Sequence, residues 1–189
     1  MIIIAGLGNP DKKYENTRHN AGFMAIDALA DKYNISVTTK KHRALCGKGL
    51  IEGIPALLLK PQTYMNLSGE SIRDAAEYYN VPPEDILVFC DDVHLDLGVL
   101  RIRKNGSAGG HNGLKNIILE LASQDFPRIR IGVGKQPEQM DLISFVLSHF
   151  TQEEQKTMKE AAESAAEAAV VLLSESPEEA MNRFNGKRP

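Results

Sequence analysis

The sequence predicts a single α/β domain with a central mixed, mostly parallel β-sheet flanked by helices. Residues 1–5 form an apolar run rich in β-branched side chains, and residues 86–90 form an uninterrupted apolar run. The second run is typical of a strand buried on both faces, as in a parallel sheet covered by helices. Residues 21–34 and 70–80 repeat apolar side chains every three to four positions, which predicts amphipathic helices packed on the sheet. The length of 189 residues suits one domain, and we assign residues 1–189 to it.

The next elements follow in chain order. Strands at 44–51 and 56–59, with a turn at Glu52-Gly53, predict a hairpin added to the sheet. Residues 40–43, Lys-Lys-His-Arg, read as a basic loop. Ser68 is placed to cap the helix at 70–80. Beyond the buried strand we expect a half-exposed strand at 99–103, a helix at 114–123 and a strand at 128–133.

The last quarter of the chain is mainly helical. Residues 136–150 have a weak pattern, which predicts a mobile loop whose second half, from residue 141, could form a short helix bordering a groove. An alanine- and glutamate-rich helix spans 151–173, where Thr151 and Glu154 are placed as a capping box. A short helix begins after Ser176. These are the predicted C-terminal helices.

Composition limits the class of protein. Hydrophobic residues at 42% and charged residues at 25% are ordinary for a soluble globular protein. No apolar run approaches the roughly 20 residues of a membrane span, and no basic segment precedes a hydrophobic stretch at the N-terminus. We therefore expect a cytoplasmic protein without a membrane partner. Cys46 and Cys90 lie in predicted strands, where buried, reduced thiols are expected.

Charge is unevenly distributed along the chain. The net charge is −3, but residues 151–180 hold eight acidic residues against two lysines, and residues 98–135 hold seven basic residues against two acidic ones. Such separation predicts one face for a polyanion and another for solvent. The alternative, that these charges are merely solvated on different faces, stays open because sequence blocks need not be surface patches.

Polar motifs follow several predicted strands. Asn9 and His19 lie after the first strand, at the sheet edge where ligands bind in open α/β folds. His19 by itself could equally be a capping or turn histidine. Asp91 and Asp92 end the buried strand, where a carboxylate without a partner costs several kcal/mol. Two further polar loops contain Tyr64-Met65-Asn66-Leu67-Ser68-Gly69 and Gly109-Gly110-His111-Asn112-Gly113.

These residue types limit the chemistry. No Gly-x-Ser-x-Gly elbow is present, which argues against an acyl-enzyme on serine. His19, His111 and Asp91-Asp92 could converge on a metal, but the histidines lack a paired ligand spacing and their neighbours are asparagines. We therefore predict no metal and no cofactor. A neutral histidine that activates water, with a carboxylate to orient it and amides to bind an oxyanion, fits better.

The chain resembles the bacterial-type peptidyl-tRNA hydrolases, essentially from end to end. The shared motifs, in order, are GLGNP at 6–10, TRHNAG at 17–22, KPQTYMNLSG at 60–69, GSAGGHNGLK at 106–115 and RIRIGVG at 128–134. The resemblance implies a phosphorylase/hydrolase-like fold. It also implies hydrolysis of the ester bond of peptidyl-tRNA, an N-blocked aminoacyl-tRNA, with tRNA as partner. For want of a sizeable apolar surface signal we expect a monomer.

The resemblance also implies roles for individual residues. His19 matches the catalytic base, Asp91 the aspartate that orients it, and Asn9 the residue that distinguishes blocked from free aminoacyl groups. Arg103 and Arg130 match the basic residues that clamp the 5′-phosphate of tRNA, although lysine is usual at the first of them. The remaining expected contacts to substrate or tRNA are Tyr14, Tyr64, Asn66, His111 and Asn112.

The chain departs from the family pattern after the buried strand. Aligning on Gly98 places His94 at a usual aspartate and Asp96 at a usual proline, with Asp91 as the catalytic aspartate and Asp92 as the fallback assignment. We interpret His94 as a substitution near the site rather than a new base.

Two other functions compete with that of an active hydrolase. A catalytically inactive RNA-binding scaffold of the same fold is the serious alternative, and the intact catalytic matches argue against it. A dinucleotide-binding protein, suggested by Gly6-x-Gly8, fails because Asp11 occupies the place of the third glycine of that fingerprint.

Overall fold

The computed structural model describes all residues from Met1 to Pro189 and contains one seven-stranded sheet. The strands are β1 (Ile2–Gly6), β2 (Thr39–Lys41), β3 (Ala44–Ile51), β4 (Ile54–Pro61), β5 (Ile86–Asp92), β6 (Leu100–Arg103) and β7 (Arg128–Gly132). Their order across the sheet is β2-β3-β4-β1-β5-β7-β6. β4, β1, β5 and β7 are parallel neighbours, whereas β2, β3 and β6 join the two edges by antiparallel pairing. The predicted class, a mixed and mostly parallel α/β sheet, is confirmed.

Six α-helices cover the two faces of the sheet. They are α1 (Ala21–Tyr33), α2 (Ser68–Tyr79), α3 (Asn112–Leu121), α4 (Leu142–Val146), α5 (Gln152–Ser174) and α6 (Pro177–Phe184), with 3-10 turns at Lys12–Tyr14, Arg18–Asn20, Met65–Leu67 and Pro83–Asp85. The first apolar core lies between the sheet and α1, α5 and α6, and the second lies under α2 and α3. Every residue of β5 is buried, as its uninterrupted apolar run predicted. No helix is both long and apolar enough to cross a bilayer.

Helix α1 crosses close to the sheet at Gly22. A Cβ on this glycine would lie 2.5 Å from the carbonyl oxygen of Phe89, so only glycine permits this approach. The close crossing fixes α1 directly behind the loop that carries His19.

The structure corrects several local predictions. Ser68 does not cap α2, because its hydroxyl donates to the carbonyl of Met65 at 2.8 Å and the N-cap position is Leu67. Part of the predicted basic loop is the short edge strand β2, and His42 in the turn that follows is buried against Asp74, with 2.7 Å between Nδ1 and Oδ2.

Other local predictions are confirmed. The capping box of Thr151 and Glu154 forms as predicted, and Cys46 and Cys90 are buried free thiols. Ser176 caps α6 through its side chain. Within 136–150, only Leu142–Val146 is helical.

Candidate active site

The loops after β1, β4 and β5 meet at one edge of the sheet, because the carboxyl ends of these parallel strands share that edge. They surround an open cavity of about 450 Å³. Eight of the ten predicted site residues line it: Asn9, His19, Tyr64, Asn66, Asp91, His111, Asn112 and Arg130. The structure therefore brings together residues of all five shared motifs, which are far apart in the sequence.

The centre of the cavity holds a carboxylate between two imidazoles. Nδ1 of His19 lies 3.0 Å from each oxygen of Asp91, and Nε2 of His111 lies 2.9 Å from Oδ1 of the same carboxylate. Asp91 is almost completely buried at the end of β5. The two ring centroids are 5.3 Å apart. A buried carboxylate requires a hydrogen-bonding partner, and Asp91 has two, His19 and His111.

The hydrogen bonds determine which imidazole nitrogen is free. His111 accepts the backbone N–H of Leu114 at Nδ1, 3.3 Å away, so its Nε2 carries the proton that is donated to Asp91. His19 faces Asp91 with Nδ1, so its Nε2 is the nitrogen left to act on a ligand. This is the arrangement of a base held by a carboxylate.

Charge and burial shift the protonation equilibria of this pair. Burial disfavours the charged imidazole, but the negative charge of Asp91 and its hydrogen bond outweigh that effect and raise the pKa of His19. Burial would raise the pKa of Asp91, yet the neighbouring imidazoles hold it well below its usual range. Asp91 is therefore the fixed negative charge of the cavity.

Asn9 is held rigidly beside this centre. Its backbone N–H donates to Oδ1 of Asn20 at 2.8 Å, and Nδ2 of Asn20 donates back to the Asn9 carbonyl at 3.0 Å. Oδ1 of Asn9 accepts the backbone N–H of Met65 at 2.8 Å. The Asn9 side chain therefore has its oxygen committed, which leaves the Nδ2 amide group as a donor for the cavity that it lines.

The loop after β4 presents two further polar side chains. Tyr64 adopts a positive φ of 64° and its hydroxyl donates to Oδ2 of Asp11 at 2.6 Å, which joins this loop to the one after β1. Such strained backbone in a non-glycine residue is found preferentially at functional sites. Asn66, two residues on, lines the cavity.

Arginines of β7 hold the glycine-rich loop that follows β6. The buried guanidinium of Arg128 donates to the carbonyls of Gly106, Ser107, Gln124 and Phe126, and burial lowers the pKa of Arg128 to about 10. Arg130 donates to Ser107 at 3.1 Å from its place in the cavity wall.

Glycine is favoured at Gly109 of this loop. It has a φ of 57°, and a Cβ there would lie 3.2 Å from the guanidinium of Arg130. The loop thus packs its backbone directly onto an arginine that faces the cavity.

The opposite wall is apolar and comes from α4. Leu142, Ile143, Val146 and Leu147 line the cavity there, with Met65 and Val93 from other loops. The predicted short helix within 136–150 does border the groove. A polar floor with one apolar wall suits a ligand that carries both polar and apolar groups.

Tyr14 and Arg103 do not line the cavity. Tyr14 ends the 3-10 turn before His19, with the ammonium of Lys13 over its ring at 5.0 Å. Arg103 is exposed on β6, where it pairs in register with Arg128, and Arg101 likewise pairs with Arg130. Because cross-strand partners share a face, these four arginines lie on one face of the sheet. Arg128 is buried there, and Arg101, Arg103 and Arg130 form a basic strip that leads away from the cavity.

Sequence reasoning overlooked residues that organise the site. Asn20 fixes Asn9, and it could have been noticed because it belongs to the TRHNAG motif. Arg101 could have been found from the alternation of apolar and basic residues along β6. The apolar wall had no distinct signal, since Leu and Ile at helical spacing indicate core packing equally well.

The residues that depart from the family pattern lie around the rim. His94 is exposed and lines the cavity, and its backbone N–H donates to Oδ1 of Asp92 at 2.7 Å. Asp92, the fallback for the catalytic aspartate, contacts no histidine side chain; its other oxygen lies 4.0 Å from Arg130. Asp96 pairs with Lys135 and Arg188 outside the cavity. The geometry therefore favours Asp91 over Asp92 as the carboxylate that orients His19.

His19, Asp91 and His111 are also a group of the types that bind metals, with candidate ligand atoms within 4.8 Å of one another. Each of the two nitrogens, however, is directed at the Asp91 carboxylate in a hydrogen bond. The arrangement fits proton transfer along a hydrogen-bonded triad better than convergence of three lone pairs on one ion.

Fold and site together define a mixed α/β protein with a hydrogen-bonded histidine–aspartate pair in a cavity at the carboxyl edge of its sheet. Comparison with known proteins identifies a single family. The family model described as peptidyl-tRNA hydrolase matches residues 3–189, and the chain belongs to that family. It is a hydrolase of that kind.

Individual relatives agree over their full length. The chain is 55% identical to a peptidyl-tRNA hydrolase of Agathobacter rectalis over 98% of this chain and 100% of the relative. It is 54% identical to one of Caldanaerobacter subterraneus, with the same coverage. The crystal structure of peptidyl-tRNA hydrolase from Acinetobacter baumannii superimposes with a TM-score of 0.93 at 38% identity, covering 100% of this chain and 96% of that one.

Proposed function

We propose that the chain hydrolyses the ester bond of peptidyl-tRNA by metal-free general-base catalysis, with His19 as the base. The observation that carries this proposal is the contact of His19 Nδ1 with the buried carboxylate of Asp91, which leaves Nε2 towards the cavity. Asp91 stabilises the imidazolium that forms during the reaction and holds the ring in one tautomer.

The reaction proceeds by proton transfer and addition of water. Nε2 of His19 removes a proton from water as the oxygen attacks the ester carbonyl carbon, and the carbonyl oxygen becomes an oxyanion. The tetrahedral intermediate then collapses, the bond to the ribose oxygen breaks, and the imidazolium returns its proton to that oxygen. The products are the free peptide and tRNA, and the base is restored. The alkoxide leaving group of an ester needs less activation than the amine of an amide, so a base and oxyanion donors, worth about 10² to 10⁴ each in rate, are sufficient.

Amide donors complete the site. Nδ2 of Asn9 is positioned by the bond that its Oδ1 makes with Met65, and it serves as a donor to the carbonyl region of the substrate. Asn66, Asn112 and Tyr64 extend the polar lining along the blocked aminoacyl group. The α4 wall accommodates apolar side chains of the peptide.

The tRNA lies across the arginine strip of β6 and β7. Arg130 contributes from the cavity and Arg103 from the edge strand, so both can bind phosphates of the acceptor stem without reading sequence. Tyr14, outside the cavity, contacts the substrate beside the first loop. We further propose that residues 1–189 act as one domain, and that the protein is a cytoplasmic monomer active in translation.

The inactive RNA-binding scaffold is not favoured, because an assembled His19–Asp91 pair beside a cavity has no use in binding alone. One assay separates the two functions. Release of N-acetylated amino acid from acetyl-aminoacyl-tRNA is measured with and without EDTA, beside free aminoacyl-tRNA as substrate and a His19→Ala variant as control. We expect turnover of the blocked substrate only, insensitive to EDTA and abolished in the variant.

Other results contradict the proposal. Folded wild-type protein that binds tRNA without releasing product would indicate the scaffold, and activity lost only on adding EDTA would indicate a metal.

A further inference from the structure

Arg18, the residue before His19, has a guanidinium that faces away from the cavity and joins three later segments. Its Nε donates to the hydroxyl of Ser148 at 3.0 Å, and Nη1 donates to the carbonyl of Val133, after β7, at 2.8 Å. Both terminal nitrogens contact the carboxylate of Glu154 in the first turn of α5, each at 3.1 Å. Such a two-point fork fixes orientation as well as distance.

The same guanidinium packs on aromatic rings of the segment that carries α4. It lies 4.7 Å from the ring centroid of Phe145 and 5.0 Å from that of Phe150. Arg18 itself is only 9% exposed. An arginine that is buried and engaged on every side has little freedom to change position without its partners.

The backbone repeats this connection. The N–H of Arg18 donates to the carbonyl of Ser148 at 3.1 Å, and the N–H of Phe150 donates to the carbonyl of Asn16 at 2.9 Å. Thr17 forms an isolated antiparallel bridge with His149. Residues 16–18 are therefore paired with 148–150 as a short two-stranded ribbon that leads directly into His19.

Helix α4, which immediately precedes residues 148–150 of this ribbon, forms the apolar wall of the active site. Ile143 and Val146 of α4 line the cavity, and Phe145 between them packs on Arg18. A ligand seated against α4 therefore presses on an element whose end is bonded to the residue that precedes the base. Nothing in the general-base mechanism itself requires Arg18.

We propose that Arg18 is a positioning residue that couples the α4 wall to His19, so that occupation of the wall holds the imidazole in line with Asp91. The proposal rests on the proposed role of His19 as the base. It assigns to Arg18 no contact with substrate or with the reacting atoms. Its purpose is to keep the base within the narrow range of geometry that proton abstraction from water requires.

The test compares Arg18→Gln and Arg18→Lys with the wild type, using acetyl-aminoacyl-tRNA as substrate. The glutamine variant loses the charge and the fork, whereas lysine keeps the charge and can reach one partner. We expect kcat to fall by about 10² for glutamine and by about tenfold for lysine, because an offset of about 1 Å in a reacting group costs on the order of 10² in rate. KM should stay within about threefold, because the groups lining the cavity remain.

A second readout separates positioning from mere stabilisation. The charged or titratable groups that face the His19 ring are Asp91 and His111, and neither is altered in these variants. A ring that is less firmly held against Asp91 loses part of its interaction with that charge. The acidic limb of the kcat profile should therefore move to lower pH in both Arg18 variants.

Leu172→Ala is the matched control for loss of stability. Leu172 lies in the core on α5 and touches none of the site residues described above. The variant should melt at a lower temperature while keeping wild-type kcat and pH profile. All assays are run at a temperature well below the melting temperature of each variant.

Arg18 variants that lower the melting temperature like Leu172→Ala but keep wild-type kcat and pH profile would overturn the proposal. A wild-type protein without turnover would instead overturn the proposed function, so the two failures are distinguishable.

Discussion

His19 and Asp91 are the pair on which the proposed activity depends, and each shifts the pKa of the other. The imidazole acts as a base only when neutral, so activity should rise as pH increases through the pKa of His19. Asp91 raises that pKa above its ordinary value of about 6.5. The carboxylate thus makes the base stronger and at the same time moves the onset of activity to higher pH.

Asp91→Asn tests this pairing. The amide has no negative charge, so the pKa of His19 should fall and the acidic limb of kcat/KM should shift to lower pH. The rate on the plateau should fall by about 10² to 10⁴, because the amide neither stabilises the imidazolium nor enforces the tautomer. The pH–rate profile of acetyl-aminoacyl-tRNA hydrolysis measures both effects, with Asp92→Asn beside it as the control. An acidic limb that stays in place in Asp91→Asn and moves in Asp92→Asn would assign the role to Asp92.

Single residues that were singled out in the sequence are brought together by the structure. Asn9, His19 and Asp91 lie together as expected, because each follows a strand that ends at the same edge. Asn20 was overlooked because its function is a reciprocal pair of hydrogen bonds with the Asn9 backbone. A hydrogen bond between two residues of one loop produces no repeating pattern in the sequence that could predict it.

At the scale of elements, the pairing of β6 with β7 brings arginines from the basic segment 98–135 together as a strip on the surface. Their antiparallel register places Arg101 beside Arg130 and Arg103 beside Arg128. Arg128 is turned inward to loop carbonyls, so the strip offers the other three side chains to a polyanion. The expected basic face is therefore narrower than the seven basic residues of the block.

Salt dependence of tRNA binding tests this strip. Arg103→Gln and Arg130→Gln should each lower the slope of log K against log salt by about 0.7 to 0.9, the contribution of one phosphate contact. Arg183→Gln on α6 is the control, because its guanidinium is already paired with Glu175 and Glu179 and should leave the slope unchanged. The slope is measured by filter binding across a range of salt. An affinity that does not vary with salt in the wild type would contradict a phosphate clamp altogether.

Helices and strands were predicted more accurately than their ends. The strand at Ile86–Asp92 and the long helix α5 follow from strong apolar patterns. The prediction that Ser68 caps α2 was wrong. The hydroxyl of Ser68 donates to the carbonyl of Met65 instead, and this local hydrogen bond competes with capping. The strand Thr39–Lys41 was missed because all three residues are exposed and polar, and only pairing with β3 makes it a strand.

At the scale of the whole molecule, one sheet separates two apolar cores, and each cysteine lies in the second of them. Burial raises the pKa of the Cys90 thiol to about 12 and also raises that of Cys46. Sγ of Cys46 donates to the carbonyl of Lys41 at 3.1 Å. Both thiols are therefore protonated and shielded while the chain is folded.

Thiol labelling should follow global unfolding. We expect neither cysteine to react with Ellman's reagent in the native protein at pH 8, and both to react across the same denaturant range in which helical circular dichroism is lost. The unfolded protein, in which both thiols are exposed, is the internal control that the reagent is active and that two thiols can react. Reaction of a thiol before the loss of helix would show that the second core opens independently of the first.

The sequence by itself determined the class of sheet, the strands buried on both faces and the loops that carry the polar motifs, because hydrophobic periodicity and turn residues act on neighbours in the chain. Only the tertiary structure decided that His19 meets Asp91, 72 residues away, and that Arg18 meets Glu154, 136 residues away. It also decided that His111 is the second partner of Asp91. These contacts depend on the order of strands across the sheet, which follows from the cooperative burial of both cores and is not encoded in any local pattern.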